Sequence, residues 1–270
     1  MMSELLDWLR AEEAMNLPVI GDIIRCGLSA HYHEVWVQSN EEGIWTALIR
    51  SFFDHFILYV PQQGGEDMEE LGSFLRFSDP LSVSGARPVI RQIQPFLSGF
   101  AEEVSQLMIL HDDEKLELLP EYDDLSAAAL TLDTASMEDA PEIGALLFGT
   151  EVFGQNYDSA AEVTAGILSR MGSGGIRHIV LRLHGRIVSH ANTTAETSQY
   201  ALISGVTTQV NCQRQGFAGH IVSFLCRQLL SEGRWPCLFC KSPAAFSLYR
   251  KLGFVEIGDY ATLKRVLSQK

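Results

Sequence analysis

The 270-residue sequence predicts a mixed α/β protein in two unequal parts. Three observations carry that expectation. Helix-like and strand-like stretches alternate along the chain. A glycine-punctuated turn connects one of the later strands to a helix. Charge is also divided along the chain: residues 1–120 hold 20 acids and 7 bases, whereas residues 170–270 hold 13 bases and four acids, Glu196, Glu232, Glu256 and Asp259.

The composition, 46% hydrophobic and 20% charged, is that of a globular chain long enough to bury one large core or two ordinary ones. The opening Met1–Asn16 carries Glu4, Asp7, Glu12 and Glu13 where a secretory leader needs basic residues. No apolar run reaches the ~18 residues of a membrane span. Five cysteines, an odd number, do not form a disulfide framework. Cys237 and Cys240 stand in the apolar run Cys237-Leu-Phe-Cys240 and read as buried strand cysteines rather than metal ligands, so we expect a reducing cytoplasm and no metal. The net charge of −14 argues against nucleic acid as a partner. The basic C-terminal third suits either a solvated face or a small polyanion.

The elements follow in order. The first part, residues 1–115, opens on an amphipathic helix bearing Leu5, Leu6, Leu9 and Met15. Two strand-like runs, Glu34–Gln38 and Trp45–Val60, flank the turn-prone Asn40-Glu-Glu-Gly43. A helix over Asp67–Phe77, a short apolar Leu81–Val83 and a helix over Pro88–Leu97 complete a small α/β unit of unassigned role. The acid-rich His111–Asp124 reads as a linker with one strand at most. The second part, residues 116–270, is expected to begin with a strand at Ala127–Leu132. Ser136, with Asp139 three residues on, N-caps a helix carrying Ile143, Leu146 and Leu147. A second helix covers Ala160–Met171 and stops at Gly172-Ser-Gly-Gly175. Strands at His178–Leu183, Ile187–Thr194 and Tyr200–Thr208 form a meander, the first two joined at His184-Gly185. A helix over Ala218–Leu230, a buried strand Pro236–Cys240, a helix Pro243–Leu252 and a strand pair, Phe254–Ile257 and Ala261–Arg265, close the chain.

The chemistry concentrates where the third meander strand meets its helix. Val206-Thr-Thr208 runs into Gln213-Arg-Gln-Gly-Phe-Ala-Gly219. A glycine-bearing turn opening a helix aims backbone N–H groups and a positive dipole end outward, which suits a pyrophosphate. Taken alone, the spacing fits an anion site or an ordinary glycine-containing helix start.

Gln213-x-x-Gly216-x-Ala218 resembles the Q/R-x-x-G-x-G/A turn of the GNAT superfamily of N-acetyltransferases. Ala245-Phe-Ser-Leu-Tyr-Arg-Lys-Leu-Gly-Phe254 is similar to that superfamily's A-x-x-L-Y-x-K-L-G-F segment. The resemblance covers about residues 125–268. It implies a central mixed, splayed sheet, and the first part more weakly resembles a degenerate half of the same fold, found as an extra domain in some bacterial members. It implies acetyl-CoA as cofactor, its pantetheine arm along Val206, Thr207 and Thr208, with the Val206 N–H polarising the thioester carbonyl. Its pyrophosphate would lie on the backbone of Gln213, Arg214, Gln215, Gly216, Phe217, Ala218 and Gly219. Tyr249 would protonate the leaving thiolate. Ser242 stands where the family often has Asn, a departure that weakens contact near the pantetheine. Glu196, the only acid between Glu162 and Glu232, is the first candidate for the base, with His190 second. Nothing about Cys212 suggests a covalent intermediate.

The expected activity is transfer of acetyl directly to a primary amine, of a small molecule or a peptide N-terminus, in a ternary complex. A silent CoA-binding regulatory or interaction protein is the alternative. No membrane partner is expected, and a homodimer would explain the acidic first part.

Overall fold

The computed structural model describes residues 1–61, 68–117, 130–154 and 157–266. The chain forms two compact units. One comprises Met1–Met108, Phe239–Lys241 and Glu256–Lys270; the other comprises Ile109–Leu238 and Ser242–Val255.

The first unit opens with α1 (Met2–Leu9) and α2 (Glu13–Cys26). The expected opening helix bearing Leu5, Leu6, Leu9 and Met15 is two helices separated by a 3₁₀ turn at Arg10–Glu12, and α2 runs on past Pro18. Leu17, Val19, Ile20 and Ile23 are buried and hold the helix against the loss of one backbone hydrogen bond. Then come β1 (Ser29–Ala30), β2 (His33–Ser39), β3 (Trp45–Phe52), β4 (His55–Tyr59), α3 (Met68–Phe77), β5 (Ser82–Ala86), α4 (Arg87–Ile93) and β6 (Phe100–Ile109). The expected single run Trp45–Val60 is two strands, folded back at Phe53-Asp54 with Phe53 in the left-handed region (φ 50°). Strands β2 to β4 form an antiparallel meander, and β5 lies parallel to β4 from His55↔Ser82 to Leu58↔Gly85.

Helices cover both faces of this sheet. Ile49, Phe56, Leu58 and Val83 pack with Leu75, Ile90 and Ile93. Their strand neighbours Leu48 and Tyr59 pack instead with Leu5, Leu9, Ile20 and Ile23, as period-two alternation requires. The strand order is β1-β2-β3-β4-β5-β12-β6, where β12 (Val255–Arg265) is the last strand of the chain. The expected C-terminal strand pair is this one strand. It pairs with β5 from Tyr260↔Ala86 to Lys264↔Ser82 and buries Ala261 and Leu263 in the first unit's core.

The second unit contains β7 (Leu130–Thr134), α5 (Ala140–Phe148), α6 (Glu151–Gly154), α7 (Ala160–Ser173), β8 (His178–Leu183), β9 (Arg186–Glu196), β10 (Tyr200–Thr208), α8 (Phe217–Ser231), β11 (Trp235–Cys240) and α9 (Pro243–Lys251). The expected linker strand and the residues Ala127–Ala129 lie outside the described residues. Ser136 and Asp139 close a reciprocal capping box, Ser136 N donating to Asp139 Oδ2 at 2.9 Å. The strand order is β11-β10-β9-β8-β7, antiparallel except for β10 and β11. Val180 and Ile187 pack under α5 and α7 with Ile143 and Ile167, and α8 packs against β8, β9 and β10. Cys237 and Cys240 are both buried in β11. Among the described residues no helix is long and apolar enough to cross a membrane.

The two units repeat one order of elements. In each, helices precede an antiparallel three-strand meander, a helix, a strand parallel to the meander's last and another helix; the strand that follows is β6 after α4 and β12 after α9, and both lie in the first unit. A fold of mixed α/β type with a splayed sheet is the result in the second unit.

Because β12 stands between β5 and β6, Leu263→Ala should destabilise the first unit by about 2–5 kcal/mol, as for other buried leucines. Hydrogen exchange should show protection lost in β5 and β6, and unchanged protection there would refute a central role for β12.

Candidate functional site

Strand β10 has partners on both sides only over part of its length. Its pairing with β11 runs from Tyr200↔Trp235 to Ile203↔Leu238 and stops, while β10 continues to Thr208. On the β9 side the register jumps between Ser204 and Thr207, a bulge centred on Gly205 and Val206. Gly205 has φ +61°, and a Cβ there would lie 2.1 Å from Asn192 Oδ1 and 3.1 Å from His190 Cε1. Only glycine fits that position. The first unit lacks this opening: β4 stays paired to β5 through Leu58, one residue from its end.

Beyond Thr208 the chain makes a single turn of 3₁₀ helix, Val210–Cys212, and enters α8. Gln209 N donates to Val188 O at 2.8 Å and Gln213 Nε2 to Thr208 O at 3.2 Å, so the Gln213 side chain braces the turn from within. Ser189 Oγ donates to Thr207 O at 2.8 Å and lies 2.9 Å from Thr208 Oγ1. Arg214 and Gly216 both take positive φ, 61° and 84°. For Arg214 this is an uncommon conformation, held by the surrounding turn. Alternating backbone handedness gathers successive N–H groups into a concave nest. Gly216 is the N-cap of α8, no side chain caps that end, and the first turn carries no acid. The N–H groups of Phe217, Ala218 and Gly219 therefore have no acceptor within the helix. Arg214 and Gln215 are exposed beside them, and Phe217 is buried.

Gly219 serves a different need from the one its spacing suggests. A Cβ on it would meet Glu117 Oε2 at 2.4 Å and Leu248 Cδ1 at 3.6 Å. Its missing side chain makes room for Glu117, which also pairs with Lys251, while Arg227 Nη2 holds the preceding Leu116 O at 2.7 Å. The Leu248 contact brings α9 against the start of α8, so the two motif segments meet in space. Tyr249, the next residue of α9, is buried, its ring 5.6 Å from that of Phe254. Ser242 N-caps α9, its Oγ accepting from Ala245 N at 3.1 Å.

Both expected bases are engaged with internal partners in this geometry. Glu196 stands across from Ala201 at the paired end of β10, five residues, or about 16 Å of strand, from Val206. Arg177 grips both its oxygens at 2.9 and 2.7 Å, Arg234 Nη1 lies 3.1 Å away and Thr193 Oγ1 donates at 2.6 Å. With Glu232 these residues form a four-member ion cluster. The isolation of Glu196 in sequence concealed two arginine partners, one before β8 and one before β11. His190 is wholly buried: its Nδ1 is 2.9 Å from Gly205 O, and its Nε2 is 2.9 Å from Nδ1 of His178, itself buried. Burial pushes His190 down to about 3 and His178 to about 4, helped by the charge of Arg170.

A cleft of about 540 Å³ opens beside the end of β10, lined by Glu142, Ala145, Leu146, Gly149 and Thr150, by Arg186 and Ile187, and by Gln209–Asn211. Among the described residues Glu142 is its one acid; Oε1 accepts from Ile187 N at 3.1 Å, and Arg186 Nε is 3.5 Å away. The sequence reading passed over Glu142, because only the packing of α5 on β9 and β10 reveals which side of that helix faces the cleft.

Residues 174–263 match the family model for GNAT acetyltransferase. No curated protein matches the sequence. Among solved structures, the chain is similar to a tandem GNAT protein from the clavulanic acid biosynthesis pathway (13% identity, 99% of this chain and 96% of that one, TM-score 0.63). It is likewise similar to a GCN5-related N-acetyltransferase from Kribbella flavida (17% identity, 93% and 96%, TM-score 0.61). A Drosophila protein of 11% identity covers 98% of this chain and 95% of its own, with a TM-score of 0.69. At these identities the likeness is one of fold: it is the GNAT fold, and it extends over both units.

The buried imidazoles generate a prediction for stability. Their folded values lie below the ordinary histidine value near 6.5, so the unfolded chain binds more protons between about pH 4 and 6.5. Stability should be flat above that window and fall as the pH drops through it, by up to about 1.4 kcal/mol per pH unit for each ring. Urea unfolding at stepped pH reads the slope, and replacing both histidines with Gln should flatten it.

Proposed function

We propose that the second unit is an acetyl-CoA-dependent N-acetyltransferase acting by direct transfer to a primary amine, of a small molecule or a peptide N-terminus. One observation carries this reading: β10 leaves its partner after Ile203 and runs, through a bulge, into the uncapped N-terminus of α8. The open edge, Ser204–Thr208, offers main-chain groups to a pantetheine amide chain, and the turn beyond offers a nest to a pyrophosphate. The cofactor supplies a thioester, an acyl group activated toward an amine. Val206 N–H would face the thioester oxygen, where negative charge gathers during attack. Val206, Thr207 and Thr208 would hold the arm. Gln213, Arg214, Gln215, Gly216, Phe217, Ala218 and Gly219 would surround the pyrophosphate, Arg214 adding a charge-assisted contact. Tyr249 would give its proton to the departing thiolate.

The cleft under α5 is the proposed acceptor site. An ammonium group entering it meets the Glu142 carboxylate, which attracts it and takes its proton before attack. This role replaces the one first expected of Glu196. A homodimer in a reducing cytoplasm and the absence of a nucleic-acid partner belong to the same proposal, the latter consistent with the net charge of −14. The commitment of Glu196 and His190 to internal partners favours a second reading, a CoA-binding protein without turnover.

Calorimetry with acetyl-CoA tests the cofactor. The unaltered protein should bind. Gly216→Glu should abolish binding, and the surface change Arg214→Glu should weaken it by about tenfold or more, the range of a lost charge-assisted hydrogen bond. No binding by the unaltered protein would end the acetyltransferase reading.

Free CoA release across a panel of amines separates the two readings. Tyr249→Phe and Glu142→Gln should each keep acetyl-CoA binding and lower turnover by about a hundredfold, the lower range for a lost acid or base. Binding with no release for any amine would favour the silent reading.

A further inference from the structure

The hydrogen bonds behind the bulge admit one arrangement of protons. Gly205 O is a carbonyl and can only accept, so His190 Nδ1, 2.9 Å away, carries the proton. A neutral His190 then presents Nε2 as an acceptor, and His178 Nδ1, at 2.9 Å, donates to it. His178 Nε2 is left as a buried lone pair without a hydrogen-bond partner. The two rings are 0% and 2% exposed and stay neutral near pH 7 for want of solvation. A buried pair of this kind leaves one acceptor unsatisfied, which is unfavourable. Two apolar side chains would fill the same space without it.

The end of the chain explains what that cost secures. Gly205 C=O and Val206 N–H belong to one peptide group, whose resonance couples oxygen to nitrogen. A proton donated to the oxygen draws electron density from the nitrogen and makes its N–H a stronger donor; such cooperative strengthening is about 10–30% per bond. The same bond fixes the rotation of the peptide within the bulge, where neither ladder holds it. We propose that His178 and His190 are positioning residues that polarise and orient the Gly205–Val206 peptide, so that the Val206 N–H stabilises the oxyanion of acetyl transfer.

This rests on the acetyltransferase reading. In that step the amine nitrogen forms a bond to the thioester carbon and the carbonyl π pair moves to oxygen, opposite Val206 N–H. The pair returns as the carbon–sulfur bond breaks; the sulfur leaves with that bond's electrons and takes the Tyr249 proton, and the amine's proton goes to Glu142. Neither histidine touches the reacting atoms or exchanges a proton. His190 acts through the peptide and His178 through His190.

Carbon-13 NMR of bound acetyl-CoA labelled at the acetyl carbonyl reads the polarisation without any acceptor. Binding to the unaltered protein should move the carbonyl line downfield. His190→Leu should lose part of that displacement with Kd unchanged, and His190→Gln, whose amide can donate to Gly205 O, should restore it. An equal displacement with Leu, or a loss with Gln as large as with Leu, overturns the proposal while leaving the cofactor site intact. Should His190→Leu fail to fold, nitrogen-15 NMR of the unaltered protein decides: both rings should be neutral with the proton on Nδ1, and a proton on Nε2 of His190 overturns the chain. Absence of acetyl-CoA binding by the unaltered protein removes the acetyltransferase reading and this inference together. A carbonyl line unmoved by the variants removes the inference alone.

Discussion

Strand β10 is tied to β11 only as far as Ile203, and the site depends on that limit. A strand paired along its whole length spends its N–H and C=O groups on neighbours. One released after Ile203 keeps five residues of main chain for a ligand, and the bulge at Gly205–Val206 turns part of that edge further from the ladder. The helix start a few residues later is positioned by the same strand. The first unit, built on the same order of elements, keeps β4 paired through Leu58 and has Gly85 pressed against Leu58 O, where a Cβ would lie only 2.4 Å away. The two parallel ladders are equally long, four residue pairs each, so the units differ in how far the strand continues beyond its ladder: one residue in β4 and five in β10.

The site is held mostly by backbone and small residues, and its polar side chains look inward. Gln213 braces Thr208, Ser189 braces Thr207, Ser242 caps α9 and His190 supports Gly205. Each fixes a peptide group instead of reaching for a ligand. This suits a cofactor recognised through main-chain hydrogen bonds and a helix dipole, because such donors lose no side-chain entropy on binding. Arg214 is exposed at the nest, and Glu142, whose Oε1 accepts from Ile187 N and faces Arg186, lines the cleft.

How far the sequence was legible varied by level. Most elements of the second unit were readable because its strands and helices carry clean periodicities and sharp punctuation: the capping box at Ser136, the turn at His184-Gly185, the glycine at the head of α8. The first unit was less so. The break between α1 and α2 and the run of α2 past Pro18 went unread, the acids Glu102 and Glu103 obscured β6, and Phe53, an unusual turn residue, concealed the break between β3 and β4. At the site, the glycine-bearing turn was legible in local spacing, whereas Tyr249 was singled out only by resemblance to a known segment. The fates of Glu196 and Glu142 were not, since both depend on neighbours distant in sequence.

The sequence by itself determined the alternation of elements and the glycine-bearing turn at the head of α8. These rest on local rules: residue period, cap chemistry and the freedom of glycine, all satisfied within a few residues. Tertiary structure alone decided that the last strand belongs to the first unit, that Glu196 is consumed by Arg177 and Arg234, and that His190 faces a peptide carbonyl. Strand pairing and ion pairing join residues separated by tens to hundreds of positions, as Tyr260 with Ala86 and Glu196 with Arg234 do. Such pairings are chosen by the packing of whole faces, and no short stretch of sequence records them.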